Sequence, residues 1–472
     1  MIFNSKNTVY KCGKYIFASK VLAKANSALL NPIFEEFWKG FTYQLSEISF
    51  EETKDFVFYI GQTEVPDVGE NAYAITVTPS GVCVAANDRN GLIMGFMTLI
   101  DKIRSDDFDH GVAAYIDCFE LKESPLIKNR MVHFCIFPET QLWEVQRYVR
   151  MAGALKYSHL ILEFWGMLKY DCMKELAWSC AYTKEDFRPI VDEAKALGLE
   201  IIPMFNHWGH ATASRVMNGK HVVLDQNPSL QSYFTTDGWC WDIKKPKVKA
   251  LLRSIREELI DLCGEGGYFH IGCDEAYNYE LTLENIDFIS NYINEVNEEV
   301  RACGRRTIVW GDMLLYRYPH YNSNNRYHCG APSAEAANYF ISRLDKSLVI
   351  ADWQYNSNEA PVETAFVFLE AGFDTLICPW DRSLPRLNSC VKTAKENNMF
   401  GIIHTTWHTL SFGAPFILLA SVNCFEDNPD YDSYKSQTYS AALMRKVMPS
   451  EGAYERSGWS KRQTNDIFTF TD

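Results

Sequence analysis

The chain has 472 residues, more than one hydrophobic core usually supports, so we expect two domains. Hydrophobic residues make up 47% and charged residues 22%, which is the composition of an ordinary globular protein. A net charge of −14 and a pI near 5.3 argue against nucleic acid or an anionic membrane as the main partner.

The chain also shows no signal for a membrane span or for secretion. No segment approaches the ~18–20 continuous apolar residues of a membrane helix, and residues 1–20 lack the apolar run of a signal peptide. The 14 cysteines are scattered without Cys-x-x-Cys pairs, which indicates reduced, buried thiols rather than disulfides or a zinc site. We therefore expect a cytoplasmic protein.

Residues 1–125 predict a small α+β domain. Residues 56–62 form an apolar strand candidate, and residues 72–77 and 82–86 are two strands joined by the turn Thr78-Pro79-Ser80-Gly81. A helix with one apolar face follows, because apolar residues recur there at a 4-3-4 spacing: Leu92, Phe96, Leu99 and Ile103. Pro125 lies where we expect the linker.

From residue 126 to residue 472, strand-like and helical patterns alternate, which predicts a (β/α)8 TIM barrel with a short C-terminal extension. The strand-like segments are Met131–Phe137, His159–Phe164, Glu200–Phe205, Tyr268–Gly272, Thr307–Trp310, Ser347–Trp353, Thr375–Cys378 and Phe400–Thr405. The helical segments are Leu142–Leu155, Lys184–Leu197, Lys247–Leu262, Thr282–Ala302, Pro361–Ala371, Leu387–Glu396 and Ala414–Phe425. A doubly wound open sheet is the alternative, but no glycine-rich phosphate loop follows an early strand.

The apolar run Phe269–Cys273 ends in two adjacent acids, Asp274 and Glu275. In an α/β barrel the catalytic groups lie at this carboxyl end of the strands. Adjacent strand residues point to opposite faces, so both acids can address one ligand only where the strand gives way to its loop. Two close carboxylates disfavour each other's ionisation, which raises the pKa of one and suits it to act as a general acid.

Other strand ends add polar and aromatic candidates. Glu163 follows the second strand, and Asn206, His207 and His210 follow the third. The last four strands each end near a tryptophan, which together predict an aromatic pocket: Trp310, Trp353, Trp380 and Trp407. Two further histidines, His270 and His404, lie inside strand segments and are expected to be core residues with their hydrogen bonds satisfied.

These segments resemble family 20 glycoside hydrolases, the β-N-acetylhexosaminidases. Phe269–Glu275 resembles the His-x-Gly-Gly-Asp-Glu signature, with Cys273 in place of the second glycine, as in a smaller intracellular branch. Residues 206–211 resemble the Gly-His-Ala segment after the third strand. Residues 73–103, with Gly-Leu-x-x-Gly-Phe-x-Thr-Leu, resemble the small domain that precedes many family 20 barrels.

The resemblance implies an exo-acting enzyme that hydrolyses terminal β-linked GlcNAc or GalNAc with retention, through an oxazolinium intermediate formed by the substrate's own acetamide. It implies that Glu275 is the general acid and base, that Asp274 binds the acetamide N–H, and that His210 with Glu163 orients Glu275. The residues that it implies for sugar binding are Arg130, Trp310, Trp353, Tyr355, Trp380, Asp381 and Trp407. It implies no metal and no organic cofactor, and its substrate would be a small glycan or glycoside with a terminal N-acetylhexosamine.

Two departures from the family pattern bear on substrate preference. The family's Tyr-x-Asp after the seventh strand reads Cys378-Pro379-Trp380-Asp381 here, so Tyr355 or Tyr277 would have to replace the tyrosine that binds the acetamide oxygen. The usual aspartate of the third-strand segment is Asn206.

Two other hypotheses remain open from the residues. His207, His210, Asp274 and Glu275 are residue types that bind divalent ions, as in a metal-dependent barrel hydrolase. A barrel that binds sugar without cleaving it is the non-enzymatic alternative. The preferred hexosamine, the linkage and the oligomeric state cannot be predicted from the sequence.

Overall fold

The computed structural model describes residues 2–108, 111–211, 223–321, 327–355, 362–381, 383–407, 410–427 and 429–448. A mixed β-sheet comes first along the chain, and a closed parallel barrel follows it. No helix within these ranges is long and apolar enough to cross a membrane.

The first part is an eight-stranded sheet with two helices. Its elements are β1 (Val9–Ile16), β2 (Lys20–Asn26), α1 (Pro32–Phe41), β3 (Glu47–Thr53), β4 (Val57–Gly61), β5 (Tyr73–Thr78), β6 (Gly81–Ala86), α2 (Arg89–Asp101), β7 (Arg104–Phe108) and β8 (Gly111–Glu123). The strand order is β1-β8-β5-β6-β4-β2-β3, with β7 beside β8. The predicted strand–turn–strand is the antiparallel pair β5–β6, and the predicted helix is α2.

Glycines let α2 lie directly on this sheet. A Cβ built on Gly95 would lie 2.5 Å from Cγ1 of Val84, and one on Gly91 would lie 2.3 Å from the carbonyl oxygen of Ala72. The helix begins where the Asp88 side chain accepts a hydrogen bond from the Gly91 N–H at 2.7 Å. The glycine-rich helix motif therefore reflects close packing of helix against sheet.

The second part is a closed (β/α)8 barrel, as predicted, because β16 pairs with β9 and completes the ring. Its strands are β9 (Asn129–Cys135), β10 (His159–Glu163), β11 (Glu200–Met204), β12 (Tyr268–His270), β13 (Arg306–Trp310), β14 (Val349–Trp353), β15 (Asp374–Cys378) and β16 (Gly401–Thr406). Its helices are α3 (Leu142–Ala154), α4 (Lys184–Ala196), α5 (Val223–Gln226), α6 (Pro246–Cys263), α7 (Leu283–Ala302), α8 (Ala334–Arg343), α9 (Glu363–Glu370), α10 (Leu384–Glu396) and α11 (Leu410–Asn423).

After the barrel, α12 (Ser433–Lys446) packs against α1, α3 and α11. The Asp432 side chain caps its first turn by accepting from the Lys435 N–H at 2.7 Å. The sequence predicted only a mixed surface extension from residue 431, and residues 449–472 of that extension lie outside the described residues. α12 thus joins the outer helix layer of the barrel to the first part of the chain.

The position of Arg130 contradicts its predicted role in gripping a sugar. It is the second residue of β9, so its side chain lies at the amino-terminal end of the barrel strands, opposite the predicted site. The buried guanidinium donates to the carbonyl oxygens of Ile127, Lys128 and Lys156 at 2.9, 2.8 and 3.0 Å. Arg130 therefore satisfies buried backbone acceptors under the barrel and does not reach its mouth.

We predict that Arg130→Gln lowers the free energy of unfolding by about 3 kcal/mol, because buried carbonyl groups that lose their donors cost ~1–3 kcal/mol each. Urea denaturation followed by circular dichroism measures the loss. The exposed Arg445 of α12 provides the control, and Arg445→Gln should change stability by less than about 0.5 kcal/mol. A role in sugar binding would instead appear as weakened glycoside binding with unchanged stability.

Candidate active site

The chain after β12 turns sharply and brings both predicted acids to one space. β12 ends at His270, and the following residues include three in the left-handed region: Gly272, Cys273 and Glu275 with φ of 64°, 76° and 48°. Such backbone costs on the order of 1–3 kcal/mol for a non-glycine residue, so the surroundings must hold it in place. The two acids can thus address one ligand beyond the strand's end, as the sequence predicted.

Two glycines allow the loops after β11 and β12 to touch. A Cβ on Gly209 would lie 1.8 Å from the carbonyl oxygen of Asp274, and one on Gly272 would lie 1.6 Å from Oδ1 of Asn206. Any side chain at these positions would push the loops apart. Both glycines belong to the motifs that the sequence singled out, and close approach of the two loops explains why they are needed.

His210 joins the two acids. Its Nε2 lies 2.8 Å from Oε2 of Glu275 and 3.6 Å from Oδ2 of Asp274. Burial by itself lowers the pKa of His210, but Asp274 and Glu275 outweigh burial and raise this pKa to about 9. The imidazole is therefore a cation at neutral pH and donates to Glu275.

Asp274 is the most buried member of the pair. Burial raises its pKa to about 7; His210 opposes the rise, while the charges of Glu275 and Glu163 add to it. Its side chain is 8% exposed, against 18% for Glu275. Glu275 is thus the acid more open to a ligand, and Asp274 lies deeper.

Three neighbours fix Glu275 in place. Its backbone N–H donates to Oδ2 of Asp312 at 2.9 Å, and its carbonyl oxygen accepts from Nε1 of Trp239 at 2.6 Å. The Tyr277 hydroxyl donates to Oε1 of Glu275 at 3.2 Å. With the contact to His210, both carboxylate oxygens and both backbone groups of Glu275 have partners, so its left-handed conformation is held from several sides.

Asp312 is a site residue that the sequence analysis missed. It lies two residues past β13, is fully buried, and accepts from Nε1 of Trp353 at 3.2 Å as well as from Glu275. Burial and the charge of Asp274 raise the pKa of Asp312 well above its ordinary value. The sequence did contain a signal for Asp312, because it is an acid that lies just beyond a strand ending in a predicted pocket tryptophan.

Glu163 does not form the predicted relay with His210. Its Oε1 accepts from Nδ2 of Asn206 at 3.0 Å, and its Oε2 lies 2.9 Å from Nε2 of His133 and 3.3 Å from Sγ of Cys135. The Nδ1 atom of His210, where the relay would attach, has no hydrogen-bond partner in the described part of the chain. Glu163 acts on His210 only through its charge, and its side-chain contacts are with β9 and with Asn206 in the loop after β11.

The structure brings the predicted aromatic residues together at the carboxyl ends of β13 to β16. Ring centroids lie 5.8 Å apart for Trp310 and Trp407, 5.2 Å for Trp353 and Tyr355, and 4.9 Å for Tyr355 and Trp380. The Tyr355 hydroxyl oxygen accepts from Nε1 of Trp407 at 2.8 Å. The five rings form one side of the site, with Trp380 and Trp407 more exposed than the others.

The remaining predicted residues occupy two places. Asp381 follows Trp380 directly beyond β15 and is partly buried at the mouth of the barrel. Tyr277 lies on the other side of the site, on Glu275. Of the two candidates for the acetamide-binding tyrosine, Tyr355 is therefore the one that adjoins the tryptophans.

The metal-dependent arrangement built on His207 is not formed. His207 is fully buried, its Nδ1 donates to the carbonyl oxygen of Phe205 at 2.6 Å, and its Nε2 accepts from Nη1 of Arg256 at 2.9 Å. Both ring nitrogens are thus occupied, and the adjoining guanidinium repels a cation. His207 belongs to the layer outside the barrel, whereas His210 faces the acids.

The expectation for the two core histidines holds in part. His270 and His404 are both fully buried, and burial, with a further contribution from His133, lowers the pKa of His404 to about 3. Nδ1 of His270 accepts from the Gly272 N–H at 3.0 Å. Within the described residues neither ring nitrogen of His404 has a hydrogen-bond partner, so this buried histidine lacks the partners that we expected.

Acids and a histidine at the carboxyl ends of parallel strands define a barrel with a site for acid–base chemistry. Residues 156–383 match the sequence model described as glycosyl hydrolase family 20, catalytic domain. The part of the chain that carries both acids and His210 therefore matches the catalytic domain of this family of glycoside hydrolases.

Curated relatives match over part of their length. A lacto-N-biosidase of Bifidobacterium bifidum is 21% identical over 286 residues, which are 56% of this chain and 24% of that protein. A beta-hexosaminidase of Akkermansia muciniphila is 26% identical over 254 residues, 48% of this chain and 49% of that protein. The matched regions thus cover less than half of each of these relatives.

Solved structures show the same fold. An exo β-N-acetylglucosaminidase from Vibrio harveyi superposes with a TM-score of 0.67 at 14% identity, covering 95% of this chain and 77% of that one. An N-acetyl-β-hexosaminidase from Streptomyces plicatus superposes with a TM-score of 0.65 at 15% identity, covering 94% of both chains. At these identities the likeness establishes the fold.

The two shifted pKa values predict how stability depends on pH. Asp274 has a folded pKa of about 7 and His210 one of about 9, both above their ordinary values of about 3.8 and 6.5. The folded state therefore binds these protons more tightly than the unfolded chain. Their contribution to stability falls as pH rises, from about 4 to 7 for Asp274 and from about 6.5 to 9 for His210.

We predict that Asp274→Asn flattens the decline in unfolding free energy between about pH 4 and 7. It also moves the His210 titration to lower pH, because it removes a charge that raises the His210 pKa. Urea denaturation over a pH series and NMR titration of the His210 ring measure the two effects. Asp261→Asn is the matched control, since that side chain is 73% exposed; an unchanged profile in Asp274→Asn would contradict the assignment.

Proposed function

We propose that this chain is an exo-acting β-N-acetylhexosaminidase that releases terminal β-linked GlcNAc or GalNAc with retention of configuration. The observation that carries the proposal is the placement of Asp274 and Glu275 on one histidine, His210, beside the aromatic residues of β13 to β16. The family match and the curated relatives named as hexosaminidases support the same class of substrate. Because the matched relatives are longer, the activity of the whole protein is part of the proposal.

In the proposed reaction Glu275 first protonates the leaving oxygen and then activates water. A general acid must hold a proton and be reachable by the leaving group. Glu275 is the more exposed acid; His210 and Tyr277 contact its carboxyl group, and Asp312 holds its backbone N–H, so the residue is fixed before substrate binds. This preorganisation suits a group that must serve as acid and base in succession.

The nucleophile in the proposed reaction is the carbonyl oxygen of the substrate's 2-acetamido group, a known exception to the two-carboxylate scheme. Asp274, the deeper acid, accepts a hydrogen bond from the acetamide N–H and stabilises the positive charge that develops on the oxazolinium ring. Such a fixed charge aimed at developing charge is among the largest contributions to catalysis. The buried position of Asp274 strengthens this interaction, because little water screens it.

The aromatic side of the site would hold the acetamide methyl and the apolar face of the sugar. Trp310, Trp353 and Trp407 supply flat apolar surfaces there. The Tyr355 hydroxyl oxygen accepts a hydrogen bond from Trp407 and lies 3.0 Å from Oγ1 of Thr405. Its own O–H is therefore available to donate a hydrogen bond to the acetamide oxygen. In this proposal Tyr355 takes the part of the tyrosine that is missing after β15.

We also propose that the protein works in a reducing compartment such as the cytoplasm. None of the fourteen cysteines, all of which lie within the described ranges, forms a disulfide bond; nine are buried, Cys329 is partly buried, and four are exposed: Cys12, Cys172, Cys180 and Cys303. Exposed free thiols are most compatible with reducing surroundings. The sequence led us to expect buried thiols throughout, and the four exposed ones differ from that expectation.

The test of the proposed function is hydrolysis of the aryl β-glycosides of GlcNAc, GalNAc and glucose, with and without a thiazoline mimic of the oxazoline. Cleavage of the N-acetylated pair alone, blocked by the thiazoline, supports the mechanism. Cleavage of the plain glucoside would mean that the acetamide is not the nucleophile. Binding of GlcNAc without any cleavage would favour the sugar-binding alternative.

Variants of the two acids should differ in their dependence on the leaving group. Glu275→Gln should lose most activity on substrates with poor leaving groups, by 10²-fold or more, and much less on activated aryl glycosides that need no protonation. Asp274→Asn should reduce kcat on both kinds of substrate, because the oxazolinium charge develops in either case. Equal and small losses in both variants would contradict the assigned roles.

Asp312 should act as a positioning residue. Asp312→Asn replaces one of two acceptor oxygens by an amide donor, so the Glu275 N–H or the Trp353 indole N–H loses its acceptor. We expect kcat to fall by 10- to 100-fold with a smaller change in KM, since misplacing a catalytic group by about 1 Å costs up to 10²-fold. The control is Asp352→Asn, whose buried carboxylate accepts from Thr364 and Gln354 away from the site; equal effects in both variants would assign Asp312 a purely structural role.

A further inference from the structure

Three side chains of types that can ligate a metal ion meet at the floor of the barrel mouth. No role has been assigned to them as a group. His133 and Cys135 lie two residues apart on β9, and Cys135 pairs in register with Glu163, the last residue of β10. The three residues are 0–2% exposed. One donor atom from each, the imidazole Nε2, the thiol Sγ and the carboxylate Oε2, converges on a common point.

From this convergence we infer a binding site for a divalent cation of the zinc class, held by Nε2 of His133, Sγ of Cys135 and Oε2 of Glu163. A nitrogen, a sulfur and a carboxylate oxygen form a donor set that Zn²⁺ accepts, whereas Mg²⁺ and Ca²⁺ prefer oxygen alone. The inference does not depend on the proposed function, and no step of the proposed reaction passes through the ion.

The distances between the donor atoms fit a tetrahedral ion with small adjustment. Ligand bonds of about 2.0–2.3 Å place neighbouring donors about 3.3–3.6 Å apart at tetrahedral angles. The observed separations are 3.5 Å from Sγ to Nε2, 3.3 Å from Sγ to Oε2 and 2.9 Å from Nε2 to Oε2. Binding therefore requires the imidazole and carboxylate to part by about 0.4 Å, which a change of side-chain torsion supplies.

The surroundings provide outer hydrogen bonds, which orient metal ligands, for two of the three side chains, Glu163 and Cys135. Asn206 donates from Nδ2 to the other oxygen of Glu163 at 3.0 Å, and Trp165 donates from Nε1 to Sγ of Cys135 at 3.4 Å. Nε2 of His133 donates to Oε2 of Glu163 when no ion is bound, so an ion must displace this proton to Nδ1, which has no hydrogen-bond partner among the described residues. Both carboxylate oxygens and the sulfur are thus oriented before an ion arrives.

Three protein ligands leave one position of a four-coordinate ion for water or a hydroxyl group. The trio adjoins the aromatic side of the mouth: the His133 ring lies 4.6 Å from the Trp407 ring, and Cys135 packs with Trp165 and Trp407. The partly exposed Trp407 marks the side from which an ion would enter. The site is separate from the acids, since Asn206 lies between Glu163 and the loop that follows β12.

The test is a titration of the metal-stripped full chain with Co²⁺, followed by the thiolate-to-cobalt charge-transfer absorption, and then displacement by Zn²⁺. We expect one equivalent of Co²⁺ with this absorption, lost on addition of Zn²⁺. Cys135→Ser should abolish the band, and His133→Gln should weaken binding by at least 10-fold. Cys378→Ser is the matched control, because Cys378 is equally buried in the barrel interior, and it should bind as the unaltered chain does.

Each result decides the inference. No thiolate band in the unaltered chain overturns it, and so does an equal band in Cys135→Ser, which would place the ion on exposed thiols such as Cys172. If Cys135→Ser does not fold, the spectrum of the unaltered chain and that of His133→Gln still decide. Glycoside hydrolysis is not the readout, so the metal site and the proposed function can fail separately.

Discussion

The crowding of carboxyl groups beyond β12 is the constraint on which the site depends. Asp274, Glu275 and Asp312 share one poorly hydrated space, and the negative charge of one acid raises the free energy of ionising the next. The structure meets this cost with the His210 cation on two of the acids and with N–H donors from Glu275 and Trp353 on the third. The crowding raises the pKa of Asp274 to about 7 and that of Asp312 well above its ordinary value, so these two acids keep their protons to higher pH than free carboxyl groups do.

The backbone around the acids follows from the same constraint. Adjacent residues reach one ligand only if the strand ends before them, and the left-handed residues Cys273 and Glu275 make that turn. The turn fits because Gly209 and Gly272 let the β11 and β12 loops approach without side chains between them. The Asp312 carboxylate accepts hydrogen bonds from both the Glu275 backbone and the Trp353 indole. One group therefore positions both the acid and the aromatic side of the site.

Periodicity and motif were enough to predict the barrel, its strand ends, the acid pair and the aromatic side, because each depends on local pattern. Contacts between distant segments could not be predicted that way. Arg130 matched by residue type, but its position at the start of β9 places it under the barrel. Glu163 was predicted to contact His210, but its side chain points toward His133, Cys135 and Asn206 and contacts those residues instead. The position of Asp312 just beyond β13 was visible in the sequence, but its hydrogen bond with the Glu275 backbone depends on how the loops after β12 and β13 pack together.

The placement of Arg130 also changes where ring hydroxyls would be bound in the proposed enzyme. An arginine at the end of β9 would have donated hydrogen bonds to them from its guanidinium group. The residues of β9 and β10 at the floor of the barrel mouth are instead His133, Cys135 and Glu163. On the opposite side, Asp381 lies at the mouth beyond β15, next to Trp380. Hydroxyl recognition would then rest on a carboxylate acceptor rather than a cationic donor. In the proposed enzyme such a site would favour neutral sugars, since an added sulfate would meet the charge of Asp381 and of the acid pair.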